Sequence, residues 1–214
     1  MRIDSIQTGQ PKTLGEDGAE DSLDTSWTSA IWKEAVHGPV WAGSEGLNGD
    51  AHVYTKGHGG PERALLIYSA DHYSRWRSEW GTRELHPGGF GENLTVSGLD
   101  EVTVCVGDLF EIGQVRIEIS GPREPCMNLV RRHRRRDLPE VIVANHRSGW
   151  YARVLREGWL EAGLPLSLVD RRYPQWPIAR AAAVKRNRSR NPEEARLLAA
   201  CPALIHDWRR KLSR

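Results

Sequence analysis

Val115-Arg116-Ile117-Glu118-Ile119 leads through Ser120 into Gly121-Pro122-Arg123-Glu124-Pro125-Cys126. The first five residues alternate apolar and charged side chains, which predicts a strand with one buried face. Pro122 and Pro125 each fix a φ angle and push the preceding residue toward extended backbone. A thiol is thus carried in a stiff loop at the end of a strand, with a guanidinium three residues away to favour the thiolate. That placement suits metal ligation or nucleophilic attack. It also suits a small buried hydrophobe, since free cysteine is among the most buried residue types.

Upstream the signal is mainly β. Leu65-Leu66-Ile67-Tyr68, Thr103-Val104-Cys105-Val106 and residues 115–119 read as short strands separated by Gly, Pro, Asn and Asp. Gly107-Asp108 reads as a turn. One helix is expected from Ala70 to Trp80, with Ser69 or Asp71 near its N-cap, and Asp17 to Ser26 reads as an exposed acidic loop. Many short strands with turn signals favour a barrel-like β domain over a βαβ sheet.

Downstream, Leu138 to Arg156 reads as helical, with a second segment beginning at Trp150, and Leu166-Ser167-Leu168-Val169 returns as a strand. Tyr173-Pro174-Gln175-Trp176-Pro177 is the linker candidate. Beyond it lie three short helices, the middle one opened by Asn191, Pro192, Glu193 and Glu194. In the last, Leu204, Ile205, Trp208 and Leu212 form an amphipathic stripe. The expected fold class is α+β: a β-barrel-like domain with peripheral helices over 1–172, then a three-helix appendage over 173–214. So short a tail cannot build its own core, so it should dock on the barrel or on a second subunit.

The 214 residues suffice for one substantial core, and 39% hydrophobic with 27% charged residues is ordinary for a soluble protein. No apolar run approaches the roughly 20 residues of a membrane span, and no signal-peptide core is evident. Cys105, Cys126 and Cys201 fit neither a disulfide framework nor a zinc spacing. No membrane association and a cytoplasmic location are expected. The totals of 30 basic and 28 acidic residues argue against a general pull toward nucleic acid, and no nucleic-acid module signature is present.

Three glycines in Lys56-Gly57-His58-Gly59-Gly60-Pro61 let backbone approach a ligand, although a tight turn explains them equally. Gly89-Phe90-Gly91-Glu92-Asn93 is a second such turn, whose carboxylate and amide suit a heterocycle. The run Arg131-Arg132-His133-Arg134-Arg135-Arg136 is either a solvated face or a guide for an anionic cofactor or substrate. Most of the nine tryptophans are expected in the core; Trp150 is the preferred stacking wall.

Gly46-Leu47-Asn48-Gly49-Asp50, His58-Gly59-Gly60-Pro61-Glu62-Arg63-Ala64-Leu65, Gly91-Glu92-Asn93-Leu94-Thr95, the cysteine loop and Gly149-Trp150-Tyr151-Ala152-Arg153-Val154 follow one another in that order. Together they resemble the MOSC domain family (molybdenum cofactor sulfurase C-terminal domain), in particular its standalone bacterial, YiiM-like branch. The resemblance covers about residues 1–170, with the tail similar to that branch's three-helix appendage.

The resemblance implies the molybdenum cofactor, a molybdopterin, with Cys126 as the protein's ligand to molybdenum. Lys33 is implied near the pterin phosphate. His58, Gly59, Gly60 and Arg123 line the same cleft, and Asn93 and Trp150 complete the expected cofactor-binding set. The implied activity is reduction of small N-hydroxylated compounds, such as hydroxylaminopurine-type base analogues, to amines, with His58 or Glu92 delivering protons. With no flavin or iron–sulfur motif in the chain, a separate reductase is expected to supply the electrons, and a homodimer with exchanged tail helices is a further expectation. The other reading of the same thiol is a carrier that transfers sulfur as a Cys126 persulfide, or the cofactor itself. Relatives commonly have lysine where this chain has Asn128.

Overall fold

The computed structural model describes residues 1–54 and 57–213, so Lys56 of the glycine run lies outside the described residues. The chain runs β1 (Arg2–Thr8), β2 (Lys12–Leu14), β3 (Trp27–Ser29), β4 (Glu34–Ala35), β5 (Val40–Gly43), β6 (Gly46–Leu47), β7 (Leu65–Ser69), α1 (Asp71–Trp80), β8 (Leu94–Ser97), β9 (Asp108–Ile112) and β10 (Val115–Pro122). It continues with α2 (Met127–His133), α3 (Leu138–Asn145), β11 (Trp150–Arg156), β12 (Gly158–Leu160), β13 (Ser167–Arg171), α4 (Ile178–Arg186), α5 (Pro192–Ala199) and α6 (His206–Leu212).

Eight strands form one curled sheet in the order β13-β9-β10-β11-β7-β8-β1-β4, antiparallel except for the β7–β8 pair. The curl brings the segment before β13 back to the N-terminus. Ile3 N–H donates to the Leu164 carbonyl at 2.9 Å, and Leu166 N–H donates to Met1 at 3.1 Å. This α+β half-barrel encloses a core that includes Ile3, Ile67, Val96, Phe110, Ile117 and Trp150.

Two expected elements are corrected. Trp150–Arg156 is a central strand between β10 and β7, where a helix was expected. Its apolar residues satisfy either period over so short a run, and the strands on both sides decide. Thr103–Val106 is a turn with a single bridge from Cys105 to Pro177. Asp100 explains this: its carboxylate accepts the Val102 and Thr103 amides, locking a turn where the apolar residues suggested a strand. Helix α1 starts at Asp71 with Ala70 as N-cap, and neither Ser69 nor Asp71 caps it. At α5 the Asn191 side chain accepts the Glu194 amide, as the sequence indicates.

The tail packs on its own barrel. Leu204, Ile205, Trp208 and Leu212 are all buried. A register irregularity between Ile119 and Gly121 interrupts the β10–β11 ladder, and Leu204 and Ile205 sit there against Gly121. The Ile205 amide donates to the Ser120 carbonyl at 2.9 Å, taking a bond the ladder does not. Lys185 pairs with Glu124 in the cysteine loop. Among the described residues, no helix is long and apolar enough to cross a membrane.

Candidate active site

A cleft opens where β10 ends and β7, β8 and β11 begin. Period-two alternation selects its lining. In β11, Trp150 pairs with Ile67 and both point into the barrel core; the next pair, Tyr151 and Leu66, lines the cleft. Trp150 therefore does not reach the cleft, and Tyr151 occupies the position the sequence reading gave to its neighbour.

Cys126 lies on the cleft wall, half-buried, as the N-cap of α2. The loop carrying it is tied by the Arg123 amide, which donates to the Gly149 carbonyl at 3.1 Å. The Arg123 side chain also lines the cleft and is only 3% exposed. Its Nη2 donates weakly to the Phe90 carbonyl at 3.4 Å, while Nε and Nη1 are buried without a hydrogen-bond partner. Native interiors rarely leave a buried cation with free donors, so these two nitrogens are candidates to receive acceptor atoms of an anionic ligand.

Lys33 also lines the cleft, but its ammonium is ion-paired with Asp50, and both side chains are buried. Burial lowers the Lys33 pKa, and Asp50 offsets part of that shift. Asp50 is the hub here. It accepts the Gly9 amide at 2.8 Å and the Asn93 side-chain amide at 2.8 Å. Asn93 in turn accepts the Leu66 amide at 3.0 Å, fixing the glycine turn to β7. Nothing in the sequence singles out Asp50 for this role, because an acidic residue ending a glycine turn is too common a pattern to assign one.

His58 Nδ1 lies 3.0 Å from the Tyr151 hydroxyl, within hydrogen-bond distance. Burial, then Arg123, Arg63 and Lys33, pull the His58 pKa down to about 4. Burial pushes Tyr151 up to about 12. At neutral pH the pair is a neutral imidazole and a protonated phenol. Gly59 lines the cleft with φ +76°, and a Cβ there would meet the His52 ring at 2.4 Å. Asn128 Nδ2 donates to Ser29 Oγ at 3.1 Å, so two lining residues from α2 and β3 are tied without charge.

Besides Trp150, two expected site residues lie outside the cleft lining. Gly60 caps the short turn Pro61–Arg63. Glu92 is fully buried behind the glycine turn, and both carboxylate oxygens are engaged: by the Gly88 amide at 2.7 Å, the Thr95 hydroxyl at 2.9 Å and the Phe90 amide at 3.1 Å, with Tyr73 also donating. A carboxylate with this many donors is a structural anchor. The basic run is likewise structural. Arg134 and Arg136 pair with Asp24 and Asp21 of the acidic loop, and Arg132 donates to the Ile31 and Gly88 carbonyls.

Among the described residues no cluster of three or more His, Cys, Asp or Glu is placed to cage a metal ion. The cleft instead offers one soft donor, the Cys126 thiol, beside a buried guanidinium with two free donors. That set fits a metal arriving with most of its ligands on an anionic cofactor. Residues 54–167 match the MOSC domain family, and the chain belongs to it. Within the family it is similar to the YiiM proteins. It shares 34% identity over 188 residues with YiiM of Escherichia coli (strain K12), covering 87% of this chain and 84% of YiiM. The crystal structure of YiiM from Geobacillus stearothermophilus has a TM-score of 0.81 at 34% identity, covering 99% of this chain and 96% of that one. A reductase of Gibberella moniliformis is 35% identical over 209 residues, 94% of this chain but only 36% of that protein.

Proposed function

We propose that this protein is a molybdenum-cofactor-dependent reductase of N-hydroxylated compounds, with the Cys126 thiolate as the protein's ligand to the metal. One observation carries the reading: a half-buried thiol and a buried guanidinium with two unpartnered donors line a single cleft. Membership of the MOSC family and likeness to a protein named reductase support it. The bound cofactor supplies two-electron chemistry, and R–NH–OH with two electrons and two protons gives R–NH₂ and water.

The chain's own residues hold and orient. Arg123 Nε and Nη1 would donate to acceptor atoms of the cofactor, and the Cys126 sulfur would be the chain's own ligand to its metal. Lys33, held by Asp50, keeps donors for a phosphate while its charge is balanced inside the protein. The neutral His58 and protonated Tyr151 form a relay at the cleft wall, and a neutral imidazole passes a proton without becoming a fixed cation.

The test is metal and pterin content, with turnover of 6-hydroxylaminopurine, for wild type and Cys126→Ser expressed in a cofactor-competent host. Wild type should hold molybdenum and turn over with a chemical reductant. The serine variant should fold and lose both, because a hydroxyl is a harder, poorer donor. Metal-free wild type carrying labile sulfur would overturn the reductase and favour the carrier.

A further inference from the structure

The near balance of charge over the whole chain hides a strong asymmetry. Residues 173–214 hold ten Lys and Arg against three Asp and Glu, which leaves an acidic excess in the first 172 residues. The arginines of 131–136 are largely engaged within the fold, as described above. In the tail, Arg180 pairs with Glu194, Lys185 with Glu124, and Arg210 and Lys211 with Asp207. Arg186, Arg188, Arg190 and Arg196 are exposed and have no carboxylate partner among the described residues. Leu197, beside Arg196 on α5, is 61% exposed. An apolar contact rimmed by free cations is the arrangement of a docking surface for an acidic protein.

Its position ties it to the candidate active site. Helix α4 packs on β10, the strand that carries the cysteine loop. The pair of Lys185 with Glu124 lies two residues from Cys126, and Arg186 lines a second cleft with Arg123, Glu124 and Pro125. We infer that the basic surface at the α4–α5 corner, made by Arg186, the turn residues Arg188 and Arg190, and Arg196, docks an acidic, flavin-bearing electron-donor protein, an inference that rests on the reductase reading. The donor's reduced flavin gives up two electrons and is left oxidised. These electrons, with two protons, break the N–O bond of R–NH–OH to give R–NH₂ and water. Nucleic acid fits this face less well. Single strands are held by bases stacking on aromatic rings, and the tail's Trp176 and Trp208 are buried.

The probe is fully reduced flavodoxin, an acidic flavin protein, mixed in stopped flow with the holoenzyme and 6-hydroxylaminopurine. The second-order rate constant for flavin oxidation should fall steeply with added salt. Arg188→Glu/Arg190→Glu/Arg196→Glu should lower it about tenfold or more at low ionic strength, with dithionite-driven turnover and melting temperature unchanged. The milder triple glutamine variant should fall between. Titration calorimetry with oxidised flavodoxin reads docking without turnover. Wild type that fails to turn over with dithionite sinks the reductase reading, while calorimetry still reads the docking face. Donor kinetics and binding indifferent to both salt and charge reversal would overturn the docking face. So would loss of binding to a single-stranded 20-mer with donor kinetics intact, which would mark a nucleic-acid surface.

Discussion

Lys33 and Arg123 look alike in the sequence, two cations implied near one phosphate, yet their surroundings predict opposite consequences of removal. Lys33→Ala strands Asp50 in the interior, and breaking a buried pair costs roughly 3–5 kcal/mol. A near-normal melting temperature, the natural expectation for a ligand-contacting lysine, is therefore not expected; Lys33→Ala/Asp50→Asn should recover part of the loss in a urea titration. Arg123→Ala removes a buried cation with two unmade hydrogen bonds, so apo-protein stability should hold or rise. Molybdenum retained through purification should fall nonetheless, and Arg123→Lys should fail similarly if the planar fork is what matters. Equal molybdenum in wild type and Arg123→Ala would remove Arg123 from the cofactor site. His58 gives a pH prediction. Its folded pKa, about 4, lies below the ordinary imidazole value, so the unfolded chain takes up the proton first. Folded stability is then full above about pH 6.5 and is lost as pH falls toward 4, by no more than about 3 kcal/mol. His133, also pulled down to about 4 chiefly by burial, contributes in the same direction. His58→Gln should remove part of this acid limb when urea midpoints at pH 7 and 4.5 are compared; an unchanged limb would show that His58 titrates normally.

At the scale of elements, the cysteine loop is held from three sides: β10 before it, α2 after it and β11 beside it through the Gly149 carbonyl. The alternation of residues 115–119 announces β10, and two prolines announce the loop. The strand character of 150–156 is a property of its neighbours, β10 and β7, and no periodicity in seven residues could reveal it. The glycine turns give a sharper test. Gly59→Ala forces an L-residue to φ +76° and drives its Cβ into the His52 ring; Gly91→Ala meets Ile31 Cγ1 at 2.8 Å with φ +78°. Both should lower the melting temperature, by roughly 1–3 kcal/mol of stability each. Gly60→Ala meets no neighbour, but φ +75° with ψ 170° is open essentially only to glycine, so it should lose stability through backbone strain alone. Thermal melts of the three variants compare the losses, and equal losses would mean that backbone strain alone sets the requirement for glycine.

For the molecule as a whole, the tail is part of the same core as the barrel. Leu204, Ile205, Trp208 and Leu212 are buried, and large apolar side chains contribute roughly 1.5–3 kcal/mol each when buried. Cutting the chain after Val169 exposes the Gly121 irregularity, frees the Ser120 carbonyl and unpairs Glu124 from Lys185. The truncated protein should bind a hydrophobic dye and show a broadened melting transition; a sharp melt with full molybdenum content would show that the barrel stands alone. Several features were already determined by the sequence. They are local chemistry: the proline-stiffened loop that presents Cys126, the Asn191-Pro192 start of α5, the burial of Trp208 and Leu212 on α6 with Leu204 and Ile205 just before it, and the ordered motifs that carry the family resemblance. Residues far apart in the chain settled the rest. Strand alternation set by β7 turned Tyr151 to the cleft and Trp150 to the core; Asp50 neutralised Lys33 from 17 positions away; donors from four separate residues made Glu92 an anchor. Burial and pairing are properties of the space around a side chain, and only the folded chain creates that space.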